Sequence, residues 1–165
     1  MQEGGLHMKT VLLYSSKYGT TKKCAELLAQ KLIQCTLVSL DAQPDFDVSD
    51  YQNIIIGTSV YAGQIRKPVK TYLTNHVDLL KSKHVSYYFC CNDTTDHFNL
   101  VPDQLKTEST IVTQFGFELN QSKMNFFDRL VTKMIAKTSE TVSVIKFEAI
   151  DAFAKKVELA SNQAV

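Results

Sequence analysis

Ser15, Ser16, Gly19, Thr20 and Thr21 crowd one turn of this chain, and they are residues that could hold an anion. The turn lies between an apolar run at residues 11–13 and a segment in which Cys24, Leu27, Leu28 and Leu32 recur at helical spacing. Such a run suits a buried parallel strand, and a hydroxyl-rich turn that opens a helix aims N–H and O–H donors from the positive end of the helix dipole. What the turn lacks narrows the anion. A dinucleotide fingerprint needs three glycines in G-x-G-x-x-G, whereas this turn has one, and the triphosphate loop G-x-x-x-x-G-K-[ST] occurs nowhere in the chain. Hydroxyls around one glycine suit a lone terminal phosphate. The competing reading is a strand-to-helix turn that caps its own helix and holds nothing.

Two further segments have a composition suited to a flat ring. In Gly57-Thr-Ser-Val-Tyr-Ala-Gly63 the small residues allow backbone to approach a planar heterocycle, Tyr61 can stack on it, and neighbouring peptide groups can bond its edge. Cys91-Asn-Asp-Thr-Thr-Asp-His-Phe98 is rich in donors and acceptors suited to a polar ring edge. One phosphate and one large planar ring together describe flavin mononucleotide, FMN.

The elements that must position these segments alternate. Strands are expected at residues 11–13, 35–40, 53–57, 85–91 and 110–119, and helices after the first turn and over 68–77, 124–137 and 145–159. The polar stretch 41–50, with Pro44 and four aspartates, reads as solvated linker. Strands alternating with helices imply right-handed crossovers and a doubly wound α/β parallel sheet, whose ligand lies beyond the C-terminal strand ends. Segments 15–21, 57–64 and 92–98 converge there. Receiver domains share this topology but hold Mg²⁺ with carboxylates where this chain has Ser15, Ser16 and Thr58.

Composition removes other classes. A formal net charge of +1 over 165 residues favours no nucleic-acid partner, and no apolar run is long enough to span a bilayer. Cys24, Cys35, Cys90 and Cys91 lack the spacing of a zinc site, and adjacent Cys90 and Cys91 in a strand should face opposite sides of the sheet as reduced thiols. His76, His84 and His97 are scattered and read as structural. Residues 1–7 before Met8 read as a tag remnant or frayed start, residues 8–165 as one domain, and the location as cytoplasmic.

Tyr14-Ser-Ser-Lys-Tyr-Gly-Thr-Thr21 and Ile56-Gly-Thr-Ser-Val-Tyr-Ala-Gly63 resemble the flavodoxin family. The resemblance implies noncovalent FMN on a five-stranded sheet of order 2-1-3-4-5. By position, Ser16, Lys17, Tyr18, Gly19, Thr20 and Thr21 would hold the phosphate; Thr58, Ser59, Val60, Tyr61, Ala62 and Gly63 would flank the isoalloxazine; and Asn92, Asp93, Thr94 and Thr95 would close its other side. Phe115-Gly-Phe-Glu-Leu119 with the later Asn125-Phe-Phe-Asp-Arg-Leu130 is similar to the flavodoxin-like protoporphyrinogen oxidases, which implies electrons taken from a porphyrinogen and passed to a quinone. Lys123, Arg129, Lys133 and Lys137 set against Asp128, beside Phe126 and Phe127, would then contact an anionic porphyrin or the inner face of a membrane. A core-packed helix with a solvated basic edge explains the same stripe. An electron carrier without a substrate of its own is the other functional reading. The weak net charge lacks the steering field such carriers use toward basic partners.

Overall fold

The computed structural model describes residues 8–92, 96–119, 122, 124–125, 129 and 142–163. Strand β1, Thr10–Ser15, is buried along its whole length. It lies between β2, Cys35–Ser39, and β3, Asn53–Tyr61, parallel to both, so that Leu12 faces Leu37 on one side and Ile55 on the other. Strand β5, His84–Cys90, pairs with β3, and β6, Val112–Leu119, pairs with β5, again in parallel. These five strands have the expected order, flanking a central β3 that is a run of β-branched residues because both of its faces are covered.

Alternation of side chains divides the core into two. Val11, Leu13, Ile54 and Ile56 face helices α2, Lys67–Asn75, and α3, Val77–Leu80, and pack around Val69, Tyr72, Leu73 and Leu80. Leu12, Tyr14 and Ile55 face α1, Thr20–Ala29, and α4, Phe147–Gln163, and pack around Cys24, Leu28, Ile150 and Phe153. Each fully buried Leu or Ile contributes about 1.5–3 kcal/mol, so the two apolar faces hold the strand ends in place. Cys91 and Cys90 fall into the first and second core respectively, on opposite faces as their adjacency requires.

Three expectations change. The strand predicted to stop at Gly57 continues to Tyr61 and returns through β4, Gln64–Ile65, in a hairpin, so segment 57–64 is not a loop. Gly57 serves another purpose: Tyr88 lies directly over it, and a Cβ there would fall 2.1 Å from the tyrosine Cζ. The helix predicted over 145–159 begins only at Phe147, because β7, Val142–Ile145, adds an antiparallel edge strand to β6. Gly116, at φ 84°, admits the Val144 carbonyl where a Cβ would stand 1.9 Å from it. The helix predicted over 68–77 ends at Asn75, and a second short one follows His76. The helix expected over 124–137 lies outside the described residues, apart from Met124, Asn125 and Arg129.

Candidate functional site

β1 ends in Ser15, and the chain turns through Gly19 into α1. Gly19 is the N-cap residue and has φ 99°, in the left-handed region that favours glycine. No side chain caps α1, and its first turn contains no acidic residue. The first N–H groups of a helix have no intrahelical acceptor, so this end offers amide donors to an anion. Ser16 frames the opening: its Oγ accepts the Gly19 N–H at 3.1 Å and keeps its own O–H to donate. Lys17 sets its Nζ 5.0 Å from the centre of the Tyr18 ring. The Tyr18 hydroxyl is buried and has no hydrogen-bond partner, an orphaned donor beside the same turn. These groups fit a phosphate ester.

Thr20 and Thr21 are placed differently from a pair of hydroxyls aimed at the turn's mouth. The Thr20 hydroxyl donates to the Glu118 carbonyl at 2.9 Å. Thr21 is buried, and its carbonyl accepts from the Tyr88 hydroxyl at 2.9 Å. Both residues tie α1 to the sheet. Bonding to the Cys24 thiol together with burial pushes the Cys90 thiol well above its ordinary value, so it stays protonated.

The ring-side segment is the β3–β4 hairpin. Ala62 at φ 49° and Gly63 at φ 73° form a two-residue turn with both centres left-handed, the geometry that matches strand twist. Thr58 is fully buried, Ser59 and Val60 are half-buried, and Tyr61 is 71 % exposed at the tip. An aromatic ring held out at the hairpin tip is available to stack on a planar ligand. Opposite it, Asn92 is exposed beyond β5, while Asp93, Thr94 and Thr95 lie outside the described residues. His97 is buried, with Nε2 3.3 Å from the Cys91 sulfur. That sulfur also accepts from Gln114 Nε2 at 3.1 Å, so His97 has a structural place. Of the residues expected to meet porphyrin or membrane, Arg129 is exposed and its N–H donates to the Asn125 carbonyl, while Phe126, Phe127, Lys133 and Lys137 lie outside the described residues.

Two residues that sequence reasoning passed over stand at the junction of these parts. Asp41, expected in a solvated linker, accepts from the Ser16 N–H and the Ser15 hydroxyl, both at 2.9 Å. Arg66 follows β4 directly and caps α2; its Nε donates to Ser15 Oγ at 2.6 Å and its Nη2 to Asp41 at 3.0 Å. Its own N–H donates to Thr58 Oγ1 at 3.2 Å. Partial burial alone would raise the Asp41 carboxyl, but the Ser16 amide, the Ser15 hydroxyl and Arg66 together hold it below the usual carboxylate range. No periodicity marks either residue.

A cavity of about 310 Å³ lies elsewhere, at the N-terminal ends of β3 and β5, lined in part by Asn53, Lys81, Lys83 and His84. Its lysines are engaged, Lys81 with Asp78 and Lys83 with the Ser49 carbonyl, and sheets of this topology take ligands at the other edge.

The flavodoxin domain family matches residues 11–143, which include the α1 turn and the hairpin. The chain belongs to the flavodoxin family. Among related proteins, the protoporphyrinogen IX dehydrogenase (quinone) of Leishmania major is 25 % identical over 147 residues. That match covers 79 % of this chain and 63 % of the relative, so the chain spans under two-thirds of that protein's length. Among solved structures, the flavodoxin-family chain resembles the rubredoxin oxygen:oxidoreductase of Desulfovibrio gigas, with a TM-score of 0.64 and 15 % identity over 94 % of this chain and 36 % of that one. It also resembles a WrbA-like protein of Agrobacterium tumefaciens, with a TM-score of 0.61, 17 % identity and coverage of 94 % and 98 %. Flavodoxin 1 of Bacillus cereus follows at 0.56 and 11 %, with coverage of 90 % and 96 %. At these identities the structures speak to fold. No helix among the described residues is long and apolar enough to cross a membrane.

Proposed function

We propose that this chain is an FMN-holding oxidoreductase and that it moves electrons from a porphyrinogen to a quinone. The observation that carries the cofactor is the start of α1, which no side chain caps, with Gly19 left-handed, the Ser16 hydroxyl keeping its O–H to donate and the buried Tyr18 hydroxyl without a partner. In this reading Ser16, Lys17, Tyr18, Gly19, Thr20 and Thr21 form the phosphate cradle, mostly through backbone N–H, with Thr20 and Thr21 anchoring it to β6 and β5. The segment from Thr58 to Gly63 presents Tyr61 to the ring, and the segment from Asn92 to Thr95 closes the other side.

Bound FMN supplies the electron and hydride chemistry, and the protein supplies binding and orientation. Tyr61 would stack on the ring, and Thr58, held by the Arg66 N–H, would keep the hairpin in place for it. Hydrogens leave the porphyrinogen in pairs, and each pair reduces one quinone to its hydroquinone, so the exchange balances without a further reductant. The Leishmania major relative supports this substrate pair. The basic residues Arg129, Lys133 and Lys137, with Phe126 and Phe127, suit an anionic porphyrin carboxylate or an anionic membrane surface that delivers quinone.

The test is spectroscopic. Purified protein titrated with FMN should bind it and shift its visible absorption, and without oxygen that absorption should bleach with protoporphyrinogen IX and return with a menaquinone analogue. Bleaching by a reductase alone would make the chain a carrier without a substrate of its own. Protein that takes up no FMN would refute the cofactor.

A further inference from the structure

Arg66 joins both halves of the cradle, one through its main chain and the other through its side chain. Its main-chain N–H holds Thr58 on the outgoing strand of the Tyr61 hairpin, and Arg66 itself begins where the return strand β4 ends. Its guanidinium holds Ser15 at 2.6 Å and Asp41 at 3.0 Å, and Asp41 in turn holds the Ser16 amide at 2.9 Å. Ser15 and Thr58 are fully buried hydroxyls, so each must keep a partner, and both take one from Arg66. The main-chain N–H supplies Thr58, while the rigid fork of the guanidinium lets it hold Ser15 and Asp41 together, whereas a lysine ammonium is a single point charge.

We infer that Arg66 and Asp41 form a clasp that makes the phosphate turn and the ring-side hairpin order as one unit, so that occupying either half of the site prepares the other. This rests on the FMN reading and adds two positioning residues to it. When two sites share an ordering cost, the first ligand bears it and the second binds more tightly by a factor that is the same in both directions.

The experiment separates the two halves of the cofactor. Lumiflavin carries the tricyclic ring without ribityl phosphate, and inorganic phosphate stands for the other end. In the wild-type full-length chain, saturating phosphate should tighten lumiflavin binding by about tenfold, within the usual range of such couplings, and lumiflavin should tighten phosphate by the same factor. In Arg66→Gln and Asp41→Asn the factor should fall to one, while Arg66→Lys should restore only part of it. A merely structural role would lower the melting temperature and leave the factor unchanged, and that result would overturn the clasp. Asp41→Asn, at an exposed position and nearly isosteric, keeps the test open if Arg66→Gln fails to fold. Wild-type protein that binds FMN and shows no coupling defeats the clasp alone; one that binds neither FMN nor lumiflavin defeats the cofactor reading and the clasp together.

Discussion

Gly57→Ala is the substitution whose consequence the structure fixes most closely. Gly57 and Tyr88 are directly opposed on β3 and β5, and a Cβ at 57 would sit 2.1 Å from Cζ, 2.2 Å from the hydroxyl oxygen and 2.4 Å from Cε1 of the ring. The ring cannot step aside, because Tyr88 is 0 % exposed, is stacked on Phe115 at 4.6 Å between centroids, and is met edge-on by Phe153 at 6.5 Å. Overpacking of this kind costs about 1–3 kcal/mol. Moving the ring also breaks the Tyr88 bond to the Thr21 carbonyl, at about 0.5–1.5 kcal/mol. The sum, about 2–4 kcal/mol, should appear as a lower urea midpoint at unchanged slope and as a melting temperature lower by roughly 10 °C. Because Thr21 sits in the first turn of α1, FMN affinity should fall with it. Tyr88→Phe isolates the hydroxyl and should cost only about 1 kcal/mol. A Gly57→Ala protein within about 0.5 kcal/mol of wild type, the range of an ordinary surface change, would refute the packing argument.

Three other outcomes are expected. Replacing Thr20 and Thr21 together by alanine should weaken FMN binding by about 1–3 kcal/mol, read by flavin fluorescence titration, since the Thr20 anchor to the Glu118 carbonyl and the buried Thr21 hydroxyl are lost; unchanged affinity would take both hydroxyls out of the site. The Asp41 carboxyl titrates below its ordinary value in the folded chain, so its stabilising contribution is fully present above the unfolded carboxylate value, about 3.9, and fades as pH falls through the lower folded value. The stability difference between wild type and Asp41→Asn should therefore be constant from neutral pH to about 5 and vanish in stronger acid, and a difference that shrinks already near pH 6 would contradict the assignment. Charge reversal at Arg129, Lys133 and Lys137 should lower porphyrinogen turnover or binding to anionic vesicles while FMN stays bound, and no change in either would leave that segment without a role in substrate or membrane contact.

The parallel sheet was legible because its physics is local and repeated. Ile54, Ile55 and Ile56 cannot all be apolar unless both faces of β3 are covered, and the helical spacing of Cys24, Leu28 and Leu32 names the face that covers one of them. The turn that opens α1 was legible for the same reason, since the strand end, Gly19 and the helix start are neighbours in the chain. The hairpin and β7 were not. Val60 and Tyr61 continue the strand only because β4 is there to pair with them, and β7 went unread, with only its last residue, Ile145, taken into the helix that follows, because neither segment is long enough to show its own period.

Asp41 and Arg66 show where such reading runs out. Each is an ordinary charged residue in a polar context, 25 positions apart in the chain, and nothing in either neighbourhood distinguishes an aspartate that holds a turn from one that is merely solvated. What selects them is a requirement created by the fold. Once β1 and β3 lie side by side, Ser15 and Thr58 are opposed and buried, and two hydroxyls at the end of an otherwise apolar sheet must be given partners. Arg66 at the start of α2 serves both, its main-chain N–H reaching Thr58 and its guanidinium Ser15, and the Asp41 carboxylate just after β2 neutralises the guanidinium while accepting the next amide along. An exposed pair of this type would add little to stability. Here the pair lies at the strand ends, where it links the α1 turn to the Tyr61 hairpin, so the clasp we infer acts through the shared ordering of those two segments when either end of the cofactor binds.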